Sequence, residues 1–113
     1  MTHTIDDDGG VRVVHLAGAI DVSRSSELRD VLGQEISGPQ ARVLVDLSAV
    51  TLIDSSGIGV LVGAHRRAGA AGAALVLAQP GANVGRVFEL TRTNRLLRIY
   101  ETLDEGVQAL HAA

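Results

Sequence analysis

Short β-like runs alternate with helix-like segments in the order β β α β α β α β α. This predicts an α/β fold, a small mixed, mostly parallel sheet with an N-terminal hairpin and helices packed mainly on one face. Three observations carry the expectation. A glycine turn separates two opening runs rich in Val, Thr and Ile. The later apolar runs are short and unbroken, as in strands covered on both faces. Helix-period segments lie between them, as right-handed crossovers between parallel strands require. The 113 residues form one domain, 1–113, with no internal repeat and no linker.

Thr2 to Asp6 and Val11 to Ala17 are the first two strands, joined through Asp8-Gly9-Gly10, where glycine reaches the positive φ of a hairpin turn without a steric penalty. Ser23 is placed to cap a helix running to about Ile36. Leu28, Val31, Leu32 and Ile36 recur there at helical spacing, while Arg24, Arg29, Asp30 and Gln34 stay wet. Gly38-Pro39 ends it. Val43-Leu44-Val45 before Asp46 predicts a buried parallel strand. A helix from Ser55 or Ser56 then reaches about Ala68, a strand covers Ala73 to Ala78, and a helix spans Val84 to Thr91 after Pro80-Gly81. Leu97 to Tyr100 is the last strand. Thr102 and Glu105 have capping-box spacing, so a final helix carries Val107 and Leu110 onto the core.

Hydrophobic residues make up 46% of the chain and charged residues 20%, so it folds rather than remaining a disordered tail. Phe88 and Tyr100 are the only aromatics, which leaves no base-stacking surface for single-stranded nucleic acid. Ten arginines against thirteen acidic residues give a net charge of -3, with no basic stripe for a phosphate backbone. The absence of cysteine excludes disulfides, thiolate zinc sites and a cysteine nucleophile. The polar start with Asp6, Asp7 and Asp8 does not read as a secretory signal, and the weakly polar stretch Gly57 to Ala64 is too short to cross a bilayer. The expectation is a soluble cytoplasmic protein with no membrane insertion and no direct nucleic-acid contact.

The informative segment is Val45 to Arg67, whose loop Ile53-Asp54-Ser55-Ser56-Gly57 lies where an extended stretch gives way to a helix. Counting about 100° per residue from Ser55, Ile58, Leu61, Val62 and His65 share the face expected to be buried. Ser56, Gly59, Val60, Gly63 and Arg67 lie opposite. Two mid-helix glycines each cost about 1 kcal/mol relative to alanine. Either a docking partner approaches them closely, with Val60 as apolar contact and Arg67 at the rim, or another segment of the same chain packs there. Ser55 has two readings of its own. Its hydroxyl caps the helix, or it accepts a phosphate, which free amides and the helix dipole would tolerate. A phosphate adds about 1.5 to 2 negative charges beside Asp54 and would oppose burial against a partner.

These residues resemble the STAS domains, and among them the bacterial anti-sigma-factor antagonists. The resemblance covers nearly the whole chain: Leu16-Ala17-Gly18-Ala19-Ile20-Asp21, Val45-Asp46-Leu47-Ser48, Asp54-Ser55-Ser56-Gly57-Ile58-Gly59, and Val84 to Phe88. It implies that Ser55, more than Ser56, is the serine phosphorylated by an anti-sigma-factor serine kinase using ATP. The unphosphorylated antagonist would bind that kinase and free a sigma factor, phosphorylation would release the antagonist, and a serine phosphatase would reset it. Asp21 matches an acidic residue near the phosphorylation loop, and also reads as a helix-entry turn former. Asp54, Ser56, Gly57, Gly59, Val60, Gly63, Arg67 and Asp21 are the candidate partner-binding residues. An alternative from the same resemblance is an unphosphorylated STAS subunit of a larger transport or stress-sensing complex. One departure stands out. Where the family commonly has Thr-Gly-Leu, this chain reads Thr91-Arg92-Thr93-Asn94 without a glycine to end the helix left-handed, a role Asn94 could take slightly later.

Other chemistries fail on spacing. A serine hydrolase needs G-x-S-x-G, but Ile53 and Asp54 stand two residues before Ser55 and Ser56. His3, His15, His65 and His111 show no i, i+4 metal spacing, and His15 and His65 read as hydrogen-bonded core residues. No lysine is present for a Walker A loop, and Gly57-Ile58-Gly59 lacks the third glycine of a dinucleotide fingerprint. The run Asp6 to Asp8 is a solvated turn, since Gly9-Gly10 interrupts any calcium-loop series. No catalytic residue, metal or cofactor is expected.

Overall fold

Gly9 and Gly10, at φ 60° and 90°, turn the chain between strand β1 (Thr2–Asp8) and strand β2 (Val11–Ile20), which pair antiparallel as the glycine turn predicts. The structure is a computed structural model and describes residues 1–112. The chain continues as α1 (Ser25–Glu35), β3 (Arg42–Ile53), α2 (Ser55–Ala70), β4 (Ala74–Ala78), α3 (Ala82–Leu90), a 3-10 turn (Thr93–Arg95), β5 (Ile99–Tyr100) and α4 (Leu103–Ala112). The sheet order β1-β2-β3-β4-β5 follows the sequence, and every pair after the hairpin is parallel.

That order dictates the layering. Successive right-handed crossovers moving one way across a sheet lay their helices on the same face. Accordingly Leu28, Val31 and Leu32 of α1, Ile58 and Leu61 of α2, and Val84 and Phe88 of α3 pack in one core with Val14, Leu16, Val45, Leu47, Leu75 and Leu77. α4 packs over the other face, where Leu110, Leu103 and Val107 meet Val11, Val13, Leu44, Val76 and Ala78. The helices therefore lie mainly, but not wholly, on one face.

Several boundaries differ from the sequence reading. α1 begins at Ser25, not at a Ser23 cap, because Asp21 Oδ1 takes both the amide and the hydroxyl of Ser23 in the preceding turn. β3 runs far past Val45. In its second half Val50 and Ile53 are buried while the residues between and before them are exposed, and it pairs with β2 through register shifts between His15 and Ala17 and between Gly18 and Ala19. β5 is only Ile99–Tyr100. The Thr102 hydroxyl accepts from the Glu105 amide at 3.1 Å, so Thr102 caps α4 as expected, but the Glu105 carboxylate takes the Thr102 hydroxyl and not its backbone amide, so only half of the capping box forms. Past α3 the left-handed position is Arg92 itself, at φ 58°, and not Asn94, which lies inside the 3-10 turn.

Candidate functional site

The β2–β3 pairing extends beyond the end of β4 and brings Ile20 opposite Ile53. The Asp54 amide then donates to the Ile20 carbonyl at 3.2 Å, which fastens the entry of α2 to the end of β2. Asp54 stays extended at φ -106°, ψ -177°, and its Oδ1 accepts the Gly57 amide at 3.1 Å. Asp54 is therefore the helix cap. Ser55, read in the sequence as cap or phosphate acceptor, is relieved of capping and stands exposed as the first helical residue; Ser56 is half-buried.

Gly57 has a different role from the one expected. It is buried, and a Cβ built on it would lie 2.7 Å from Ile20 Cγ2 and 2.9 Å from Ile53 Cγ1. Its missing side chain seats the first turn of α2 on the strand ends, and it offers no contact to a partner. Val60 is also a correction: it is 5% exposed and belongs to the core, not to an outer surface. Small residues explain this. Gly57, Ala64 and Ala68 are buried, which turns the buried face by about 80° from the one marked by Ile58, Leu61, Val62 and His65. His65 is half-buried, with Nδ1 3.0 Å from the Leu75 carbonyl.

What remains outward on α2 is Ser55, Gly59, Arg66, Arg67, Gly69 and Ala70, with half-buried Ser56, Val62 and Gly63 beside them. Nothing lies within 4 Å of a Cβ built on Gly59 or Gly63, so packing within the chain does not account for them. Asp21 follows Ile20 and so adjoins the Asp54 loop. The hydrogen bonds from Ser23 hold its carboxyl below the usual carboxylate range, so it stays charged. Two neighbours were missed from sequence. Val22, 71% exposed, follows Asp21, and Leu52, 56% exposed, precedes the loop opposite Ala19. Leu52 is hidden from pattern reading because the second register shift breaks the inside-outside alternation of β3.

Among the described residues no group of three or more His, Asp or Glu is arranged to hold a metal ion, and no helix is long and apolar enough to cross a membrane. A hollow of about 740 Å³ between α3 and β5 is lined by Pro80, Arg86, Glu89, Tyr100 and Glu101, none of them in the Ser55 loop.

The sequence matches the STAS domain family over residues 3–106. The chain is a STAS domain. The anti-sigma-F factor antagonist RsfB of Mycobacterium tuberculosis is 26% identical over 107 residues, 95% of this chain and 87% of that protein. The crystal structure of an anti-sigma factor antagonist from Mycobacterium paratuberculosis superimposes with a TM-score of 0.85 at 28% identity, covering 97% of this chain and 93% of that one. The Bacillus protein SpoIIAA shares the fold in its unphosphorylated form (TM-score 0.78, 19% identity, 99% and 98% covered). In its phosphorylated form the TM-score is 0.70, with 19% identity and 96% and 99% of the chains covered. This STAS domain thus has the family's five-stranded sheet.

Proposed function

We propose that this STAS domain is an anti-sigma-factor antagonist that works by partner switching. Unphosphorylated, it binds an anti-sigma-factor serine kinase and so frees a sigma factor for transcription. The kinase, using ATP, transfers a phosphoryl group to the Ser55 hydroxyl, the complex separates, and a serine phosphatase restores the hydroxyl. The domain performs no chemistry of its own; it supplies an acceptor and a surface.

The observation that carries this reading is an exposed Ser55 hydroxyl at the first position of α2 with the capping role already filled by Asp54. The similarity to proteins named anti-sigma-factor antagonists supports the same role. The docking face is Ser55, Ser56, Gly59, Gly63 and Arg67, bordered by Asp21 and Asp54. Incubation with purified anti-sigma-factor kinases from the same genome and ATP, followed by mapping of the modified residue, tests it. Phosphate on Ser55 is expected. Its absence from both Ser55 and Ser56 with every kinase that binds the domain would end the proposal. Ser55→Asp should abolish binding by that kinase with circular dichroism unchanged.

A further inference from the structure

We propose that Asp6, His15 and Asp46 form a proton-operated clasp. With both ring nitrogens protonated, His15 ties the edge strand β1 to β3, and loss of one proton frees Asp6 and loosens β1 on its ladder with β2 while the His15–Asp46 contact stays. Each residue comes from a different strand. His15 Nδ1 lies 2.6 Å from Asp46 Oδ2, and Nε2 lies 2.9 Å from Asp6 Oδ2. Only the imidazolium can donate to both carboxylates, because a neutral imidazole has a single N–H.

The two carboxylates differ sharply in exposure, and that decides which one loses its donor. The Asp46 side chain is 8% exposed and that of Asp6 is 71% exposed. A buried carboxylate left without a donor is far costlier than an exposed one that water can serve. The remaining proton therefore sits on Nδ1, facing Asp46, and Asp6 lets go. Asp46 is further tied down by the Ser48 amide, which donates to its Oδ1 at 3.0 Å beside the first register shift. The approach to Ser55 is thus insulated from the event, and the change is confined to β1.

Beyond its antiparallel backbone ladder with β2, β1 has few side-chain anchors. Ile5 is its only half-buried side chain, the other residues are exposed, and the strand ends the sheet. By strand alternation, the charged or titratable groups on this face are Asp6 and Asp8 of β1, Arg42 and Asp46 of β3, and Tyr100 of β5; α4, packed on the same face, carries Asp104, Glu105 and His111. The Asp46 hydrogen bond, opposed by burial and reinforced by the charges of Asp46 and Asp6 and the Asp6 bond, holds the ring pKa above the usual 6.5.

The test is a titration from about pH 5 to pH 9, following the histidine ring nitrogens by NMR together with amide exchange in β1 and β4, in wild type, Asp6→Ala and His15→Gln. His15 should titrate above 6.5 and keep its last proton on Nδ1. β1 protection, corrected for intrinsic exchange, should fall several-fold across that midpoint relative to β4, and both variants should lose this dependence. A midpoint at or below 6.5, a last proton on Nε2, equal behaviour of β1 and β4, or an unchanged response in Asp6→Ala would overturn the clasp. The wild-type measurement decides the matter even where a variant folds poorly, and none of these readouts depends on Ser55.

Discussion

Alanine at Gly59 and Gly63 should stabilise the free domain, while alanine at Gly57 in the same helix should destabilise it. Backbone propensity favours alanine at all three positions by about 1 kcal/mol each. At Gly59 and Gly63 nothing opposes that gain, because an added methyl meets no atom within 4 Å. The double variant should gain about 2 kcal/mol, or roughly 8 °C in thermal midpoint at about 4 °C per kcal/mol. At Gly57 the methyl would sit 2.7 Å from Ile20 Cγ2 and 2.9 Å from Ile53 Cγ1. Both isoleucines are core residues, 0% and 3% exposed, and their β-branched side chains have little rotamer freedom with which to yield. Overpacking of this kind costs about 1 to 3 kcal/mol, so the clash outweighs the propensity gain by up to about 2 kcal/mol. Urea denaturation of the three proteins reads these shifts directly. A double variant no more stable than wild type would refute the open-face assignment. A stabilised double variant that binds the proposed partner kinase as tightly as wild type would instead remove Gly59 and Gly63 from the proposed docking surface.

The cap assignment separates two adjacent residues: Asp54→Ala should cost about 1 kcal/mol, while Ser55→Ala should stay within about 0.5 kcal/mol of wild type. Equal losses in urea melts would return the cap to Ser55. Arg92→Gly should stabilise the domain by about 1 kcal/mol, because Arg92 holds φ 58°, which glycine adopts without a Cβ clash. An unchanged thermal midpoint would mean that the turn is not strained. Because the folded-state pKa of His15 lies above 6.5, its contribution is complete below pH 6.5 and is lost as pH rises through the folded value. The urea midpoint of wild type should fall across that window, and that of His15→Gln should not.

The order of elements was legible because each rests on a local signal that the tertiary structure reinforces. Glycines at φ 60° and 90° make the hairpin, and Leu28, Val31 and Leu32 mark the inner face of α1. The misreadings came where two physical signals competed. Asp54 and Ser55 are both cap formers, and the choice fell to backbone conformation: Asp54 is extended and tied to Ile20. On α2, large apolar side chains dominated the face count, yet the small Gly57, Ala64 and Ala68 are buried as well and shift the buried face toward Val60. The Asp6–His15–Asp46 set was illegible for another reason. Its members join only through strand register, with His15 opposite Asp46 and Asp6 one diagonal away.

Dividing labour among neighbours is what would allow this loop to act as the proposed switch. Asp54 satisfies the first-turn amide, Gly57 seats the helix on Ile20 and Ile53, and Ser55 is left with no structural duty. A phosphate on Ser55 would meet the positive end of α2, an interaction worth about 0.3 to 1 kcal/mol to the free domain. The same phosphate pressed unpaired against a partner would cost several kcal/mol, and about 3 kcal/mol already weakens binding more than a hundredfold. The two effects have opposite signs and act on different equilibria. Under the proposed cycle, a phosphate here would therefore change which molecule the domain meets without endangering the fold that presents it. Had Ser55 been the cap, modification and stability would have been coupled through one oxygen.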